Sequence, residues 1–153
     1  MKIVLQRVCQ ASVEIDNEVV SEINEGYLLL IGFERGDDSR FINPMIDKIL
    51  KIKLFPDSEG RFAYSLEERK GELLAISQFT LFADLKKGKK PSLSKALDPE
   101  KANTLYNEFF DACIQRNISI KGGVFGAYMQ VHLQNDGPVT IILDSKELLS
   151  SLY

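Results

Sequence analysis

The sequence predicts an α+β fold, a single domain over residues 1–153 with a mostly antiparallel, barrel-like sheet and two main helices. Three observations carry this. Apolar or alternating runs of strand length recur along the chain, and only two segments hold a helical period. Strands and helices do not alternate one for one, which separates the chain from the parallel α/β class.

The elements read as follows. Residues 2–9 and 11–16 suit strands, with Ile3 and Leu5 alternating in the first and Val13 and Ile15 in the second. Residues 19–23 suit a third, after an Asp16-Asn17 turn. Tyr27-Leu28-Leu29-Leu30-Ile31-Gly32-Phe33 is a continuous apolar run of strand length, expected to be buried on both faces, and a loop follows at 34–38. Ile42, Met45, Ile46, Ile49 and Leu50 make one helical face. Asn43 as N-cap with Pro44 in the first turn is the simplest start, and an earlier start at Ser39 with a kink is the alternative. Strands are predicted at 53–55 and 73–82, separated by the turn Asp57-Ser58-Glu59-Gly60 and a polar stretch. Asp98-Pro99 opens the second helix, whose period runs through Ala102, Leu105, Tyr106, Phe109, Phe110 and Cys113. Strands at 127–134 and 139–144 close the chain around the turn Asn135-Asp136-Gly137-Pro138.

Composition narrows the function. The 153 residues, 44% of them apolar, are enough for one sizeable core, and a charged fraction of 27% argues against disorder. No run approaches the ~18 apolar residues of a membrane span. Gln6 and Arg7 interrupt the start too soon for a signal peptide, so a cytoplasmic location is expected. Cys9 and Cys113 are the only cysteines and form no metal-ligating pattern. The net charge of −3 disfavours broad binding along a nucleic-acid backbone. Yet Lys86, Lys87, Lys89, Lys90 and Lys95 crowd a short segment with Gly88 and Pro91 and a single acid, Asp84. That loop is either a solvated face or a local phosphate-binding patch.

Standard hydrolase machinery is missing. There is no Gly-x-Ser-x-Gly elbow, no nucleotide-binding glycine motif, and a single histidine, His132, on the polar face of a strand. Two segments are too polar for their setting. Ser77-Gln78-Phe79-Thr80 interrupts an apolar strand, where a buried Gln78 must find a partner or cost about 1–3 kcal/mol. Gly137-Pro138 lies where a cis peptide is inexpensive.

In this order and at this separation, the two segments resemble the signatures of the D-aminoacyl-tRNA deacylases (the D-tyrosyl-tRNA deacylase family). The resemblance spans essentially the whole chain: Gln6-Arg7-Val8, Ala11-Ser12-Val13, Gly36-Asp37-Asp38, Gly71-Glu72-Leu73-Leu74, Ser77-Gln78-Phe79-Thr80-Leu81, Lys87-Gly88 with Pro91-Ser92, Phe125-Gly126-Ala127, Met129, and Asn135-Asp136-Gly137-Pro138-Val139-Thr140. It implies hydrolysis of the ester of D-aminoacyl-tRNA, with mischarged glycyl-tRNA as a second substrate. It also implies a homodimer with composite sites, no metal and no cofactor. In that picture Ser77, Gln78, Phe79 and Thr80 line the ester, and a cis Gly137-Pro138 enters the pocket of the other subunit and holds the α-ammonium. Met129 lies nearby and Arg7 supports the Gly-Pro loop. Lys86, Lys87, Lys89 and Lys90 are the candidates for tRNA contact. The chain departs from the family where Lys90 precedes Pro91, Leu93 follows Ser92 and Tyr128 replaces a frequent acid. A nucleic-acid-binding module would explain the lysines alone, and a general small-ester hydrolase the polar strand alone.

Overall fold

The computed structural model describes residues 1–152, so residue 153 of the expected domain lies outside the described residues. The elements run β1 (Lys2–Ile15), β2 (Glu18–Ile23), β3 (Gly26–Gly32), α1 (Ile42–Lys51), β4 (Lys53–Pro56), β5 (Phe62–Ser65), α2 (Leu66–Arg69), β6 (Glu72–Ser77), α3 (Pro99–Gln115), β7 (Ile120–Gly122), β8 (Gln130–Asp144) and α4 (Ser145–Leu148). The main sheet has the order β2-β1-β3-β6-β7, and β8 pairs along most of β1. Pairs made by β1 are antiparallel, whereas β3–β6 and β6–β7 are parallel. The sheet curls until β2 approaches β7. There Ser21 Oγ donates to the Gly122 carbonyl and Lys121 Nζ to the Glu22 carbonyl, both at 2.7 Å. The result is the nearly closed, barrel-like α+β architecture expected from the sequence.

Two apolar clusters flank the sheet. Ile3, Leu5, Tyr27, Leu29 and Ile31 pack against α1 and α3, while Val8, Ala11, Val13, Leu74 and Ile76 fill the curled interior. β1 and β8 serve both clusters, and each must therefore change face partway along. An odd number of extra residues inverts the alternation of a strand. In β1 the inversion falls at Cys9, because Val8 and Gln10 pair with the consecutive residues Asn135 and Gln134. In β8 it falls at 136–139, because Gln6 pairs with Thr140 and Val8 with Asn135, leaving four residues opposite Arg7 alone.

Several sequence expectations change. The strands expected at 2–9 and 11–16 are the single β1, and those at 127–134 and 139–144 are the single β8, which starts at Gln130. Bulges, not turns, separate their halves. The strand expected at 73–82 stops at Ser77 and a 3₁₀ turn, Phe79–Phe82, follows. The first helix takes the earlier start: a 3₁₀ turn, Ser39–Phe41, is capped by the Asp38 carboxylate, and Pro44 falls within the first turn of α1, where its missing N–H has no helical role. The short β5, β7, α2 and α4 have no counterpart among the expected elements. α3 begins as read, with Asp98 accepting from the Glu100 and Lys101 amides and Pro99 in the first turn.

The cysteines differ sharply in setting. Burial pushes the Cys113 thiol up to about 12, while Cys9 is exposed. At pH 8 a thiol reagent should label one cysteine in the native protein and the second only after denaturation, since the thiolate is the reactive form. Rapid native labelling of both would contradict the packing of α3.

Candidate active site

The parallel strands β3, β6 and β7 end side by side, and the candidate site lies beyond their C-terminal ends. Ile31 pairs with Ser77, and Ala75 with Gly122, so the chain leaving β7 runs past Ser77. The Gln78 amide donates to the Ile31 carbonyl at 2.7 Å and completes the ladder. The backbone then tightens into the Phe79–Phe82 turn, with Leu81 N–H on the Gln78 carbonyl at 3.3 Å and Ala83 N–H on the Thr80 carbonyl at 3.1 Å. The first amides of such a turn have no carbonyl behind them. Those of Phe79 and Thr80 find no acceptor among the described residues. They form a pair of N–H donors able to receive a developing oxyanion.

The side chains leave the turn accessible. Phe79 is 54% exposed, and Ser77 and Gln78 are half-buried, so the desolvation expected for Gln78 in a buried strand does not arise. Gln78 Nε2 instead donates to Thr80 Oγ1. An amide donor does not deprotonate the hydroxyl it reaches, so nothing here activates Thr80 as a nucleophile. His132 is elsewhere, 3.4 Å from Glu14 on the outer face of β8.

Ser77 and Phe79 border a cavity of about 820 Å³, walled by Gly32, Phe33, Leu93, Leu97, Pro99 and Phe125 and edged by Arg35, Gly36, Asp98 and Lys101. A cavity of this size accommodates a ligand of several rings. Phe125 is held by Tyr106, whose ring centroid lies 5.9 Å away. Burial pushes the Tyr106 phenol up to about 12, and it donates to the Ala75 carbonyl at 2.8 Å. The edge near Arg35 is fixed by Asp37, which accepts from the Glu34 amide at 2.7 Å and pairs with the Met1 amino group at 2.6 Å. No motif in the sequence marks Arg35, Leu97 or Lys101. The one signal for them was position, two cations next to a loop and a helix start.

Arg7 is only 6% exposed and governs the second segment. Its guanidinium donates from Nε to the Asp136 carbonyl at 3.1 Å, lies 3.3 Å from the Asp136 carboxylate, and donates from a terminal nitrogen to the Leu54 carbonyl. Asn135 accepts from the Val139 amide at 3.1 Å across the bulge. Gly137 and Pro138 thus project from β8, joined by a cis peptide. Gly137 has φ +130°, and a Cβ there would fall 2.9 Å from Val139 and 3.2 Å from Arg7. Met129 is half-buried against the interior cluster.

Within one chain the two segments do not meet. Neither Arg7, Met129, Gly137 nor Pro138 borders the cavity at Ser77. By strand register Gly137 and Pro138, which lie opposite Arg7, are three strands from Ser77 and four residues along. At ~4.8 Å between strands and ~3.3 Å per residue, that separation is roughly 20 Å. Lys86, Lys87, Lys89 and Lys90 are exposed on a hairpin closed by reciprocal Asp84–Ser92 bonds of 2.8 and 2.9 Å. The Lys86 amide, and then Lys95, hold the Asp84 carboxyl below its usual range. Among the described residues no group of three His, Cys, Asp or Glu side chains gathers to hold a metal, and no helix is long and apolar enough to cross a membrane.

Comparison with known proteins gives a consistent picture. Residues 4–144 match the model of the D-Tyr-tRNA(Tyr) deacylase family. A D-aminoacyl-tRNA deacylase of Aquifex aeolicus is 44% identical over 97% of this chain and 100% of its own length. One of Clostridium perfringens is 45% identical over 96% of this chain and 99% of its own length. Among solved structures, a c-Myc DNA unwinding element binding protein superposes with a TM-score of 0.87 at 42% identity, covering 95% of this chain and 99% of that one. A probable eukaryotic D-amino acid tRNA deacylase, 17% identical, shares the fold at a TM-score of 0.81 over 94% of this chain and 98% of its own.

The Arg7 bonds predict a graded stability series. Arg7→Ala leaves the Leu54 and Asp136 carbonyls without their donor and should lower stability by about 2–3 kcal/mol in urea unfolding, with Arg7→Lys intermediate because an ammonium lacks the planar fork. An Arg7→Ala midpoint equal to wild type would mean that the guanidinium does not hold the bulge.

Proposed function

The chain belongs to the D-Tyr-tRNA(Tyr) deacylase family, and from that premise we propose that it hydrolyses the ester of D-aminoacyl-tRNA, releasing the D-amino acid and tRNA. One observation carries the reading. Two unpaired amides, of Phe79 and Thr80, stand beside Ser77 at a cavity large enough for a terminal nucleoside and its amino acid. An aminoacyl ester is already activated, since the α-ammonium withdraws electrons and the neighbouring 2′-hydroxyl assists departure. Orientation and oxyanion donors then suffice. Water is the attacking group, assisted by the neighbouring 2′-hydroxyl, with Ser77 and Gln78 orienting the ester; its oxygen enters the free carboxylate, and the ribose 3′-oxygen leaves with a proton. No metal or cofactor takes part.

Chirality is set by the second segment, supplied by another copy. Gly137 and Pro138 are exposed and do not border their own chain's cavity. The sheet face beside them offers a partner an apolar row, Ile142 (67% exposed), Val4 and Leu30. In a homodimer the carbonyls of Gly137 and Pro138 hold the substrate α-ammonium in the other subunit's cavity and leave no space for an L side chain, with Met129 flanking them and Arg7 behind. Glycine has no side chain to exclude, so mischarged glycyl-tRNA is a second substrate. Lys86, Lys87, Lys89 and Lys90 lie on the approach to the cavity through Leu93 and contact the tRNA backbone. The enzyme works in the cytoplasm, where its substrate is made.

Purified protein should release D-tyrosine from tRNA in the presence of EDTA and leave L-tyrosyl-tRNA intact. Comparable turnover of the L-ester sinks the chiral reading, and loss with EDTA reversed by zinc sinks the metal-free one. Phe79→Pro removes one amide at a position where a helical turn accepts proline. It should lower kcat by about 10²–10³ beyond the effect of Phe79→Ala. Gly137→Ala, which crowds Val139 and Arg7, should be inactive alone yet regain one working site when mixed with Phe79→Pro subunits. A fully active monomer would rule out sharing between subunits.

A further inference from the structure

Two cations at the cavity edge have no assigned role. Arg35 lies in the tight turn after β3, where its amide bonds to the Lys95 carbonyl at 3.0 Å and Gly36 takes a φ of +96°. Lys101 lies in the first turn of α3. Both side chains are exposed and neither has a partner among the described residues. The surrounding charges are engaged elsewhere. Glu34 pairs with Lys146 at 2.7 Å, Lys95 with Asp84 at 3.2 Å, and Asp98 accepts from the α3 amides at 3.1 and 3.4 Å. The Asp98 cap also occupies the start of α3, so an anion there meets side chains rather than helix amides.

The remaining walls are apolar, chiefly Leu93, Leu97 and Phe125. An uncharged nucleobase suits those walls, but nothing in an aminoacyl nucleoside balances two cations, because its ester has no free carboxylate. The nearest anion in the substrate class is the phosphodiester one bond beyond the terminal ribose. We propose that Arg35 and Lys101 clamp the phosphate joining the terminal nucleoside to the preceding nucleotide. This proposal rests on the deacylase reading above. Arg35 supplies a planar fork for two phosphate oxygens and Lys101 a point charge from the first turn of α3. The clamp holds the last nucleoside in register with the Phe79 and Thr80 amides, and the lysine hairpin meets the chain further upstream.

The test compares D-tyrosyl-tRNA with D-tyrosyl-adenosine, which carries the same ester without phosphate. Arg35→Ala and Lys101→Ala should each raise KM for the tRNA roughly tenfold, the scale of a charge-assisted hydrogen bond. The double variant should also reduce the salt slope of KM by about 0.7, the value for one phosphate on a single strand, with each single variant giving part of that. The loss on tRNA should exceed the loss on the nucleoside ester by at least about tenfold in the double variant, and Arg35→Lys should recover part of it. Equal losses on both substrates would overturn the clamp and make the pair part of the cavity wall. Unchanged KM and salt slope for tRNA would also overturn it. If wild-type protein cleaves neither ester, the deacylase reading itself falls, and the clamp with it.

Discussion

The architecture depends on one constraint: a single pair of strands, β1 and β8, must contribute to two hydrophobic clusters on opposite faces of a curled sheet. A strand alternates strictly, so neither can do this without an odd insertion. β1 resolves it with one residue at Cys9, and β8 with the excursion at 136–139. A four-residue excursion exposes backbone, and the Arg7 guanidinium answers the Asp136 carbonyl while tying the same point to β4 through Leu54. The projection of Gly137 and Pro138 is thus a by-product of how the fold fills its interior. It is rigid because a buried cation with several acceptors holds its base.

The Phe79–Phe82 turn has an equally mechanical origin. β6 ends where its neighbour β3 runs out of carbonyls to offer, at Ile31, and the chain can only turn. The tight turn leaves two amides unpaired because the residues before them are extended. A site made this way needs no titrating side chain. That explains how the chain can lack a triad and still have chemistry to offer.

Much of this was legible in the sequence, for reasons that can be given residue by residue. The apolar period of Ala102, Leu105, Tyr106, Phe109 and Cys113 had one helical solution, and Asp98-Pro99 fixed its start. The run from Tyr27 to Gly32 is buried as read except at Leu30, which is half-buried on the face beside Val4. Ser77 to Thr80 stood out by polarity, but their turn did not, because Leu81 and Phe82 continue the apolar pattern of a strand although they pack from a 3₁₀ turn. Asn135-Asp136-Gly137-Pro138 has the composition of a hairpin turn. Only long-range pairing with Gln6 and Val8 makes it a bulge within one strand. Arg35 and Lys101 were invisible because they are far apart in sequence, and two exposed cations signal nothing until the fold sets them on one rim.

The bulge in β8 also bears on how this chain can change over generations. Surface loops ordinarily gain and lose residues freely. Here the excursion holds three residues more than its partner requires, and it is the oddness of that excess that turns Val131 toward the interior and His132 toward solvent. Deleting or inserting a single residue between Asn135 and Thr140 would restore even parity and turn that half of β8 inside out, whereas a change of two would keep its sidedness. An exposed loop of ordinary composition is therefore under a counting rule, and its length can drift only in pairs.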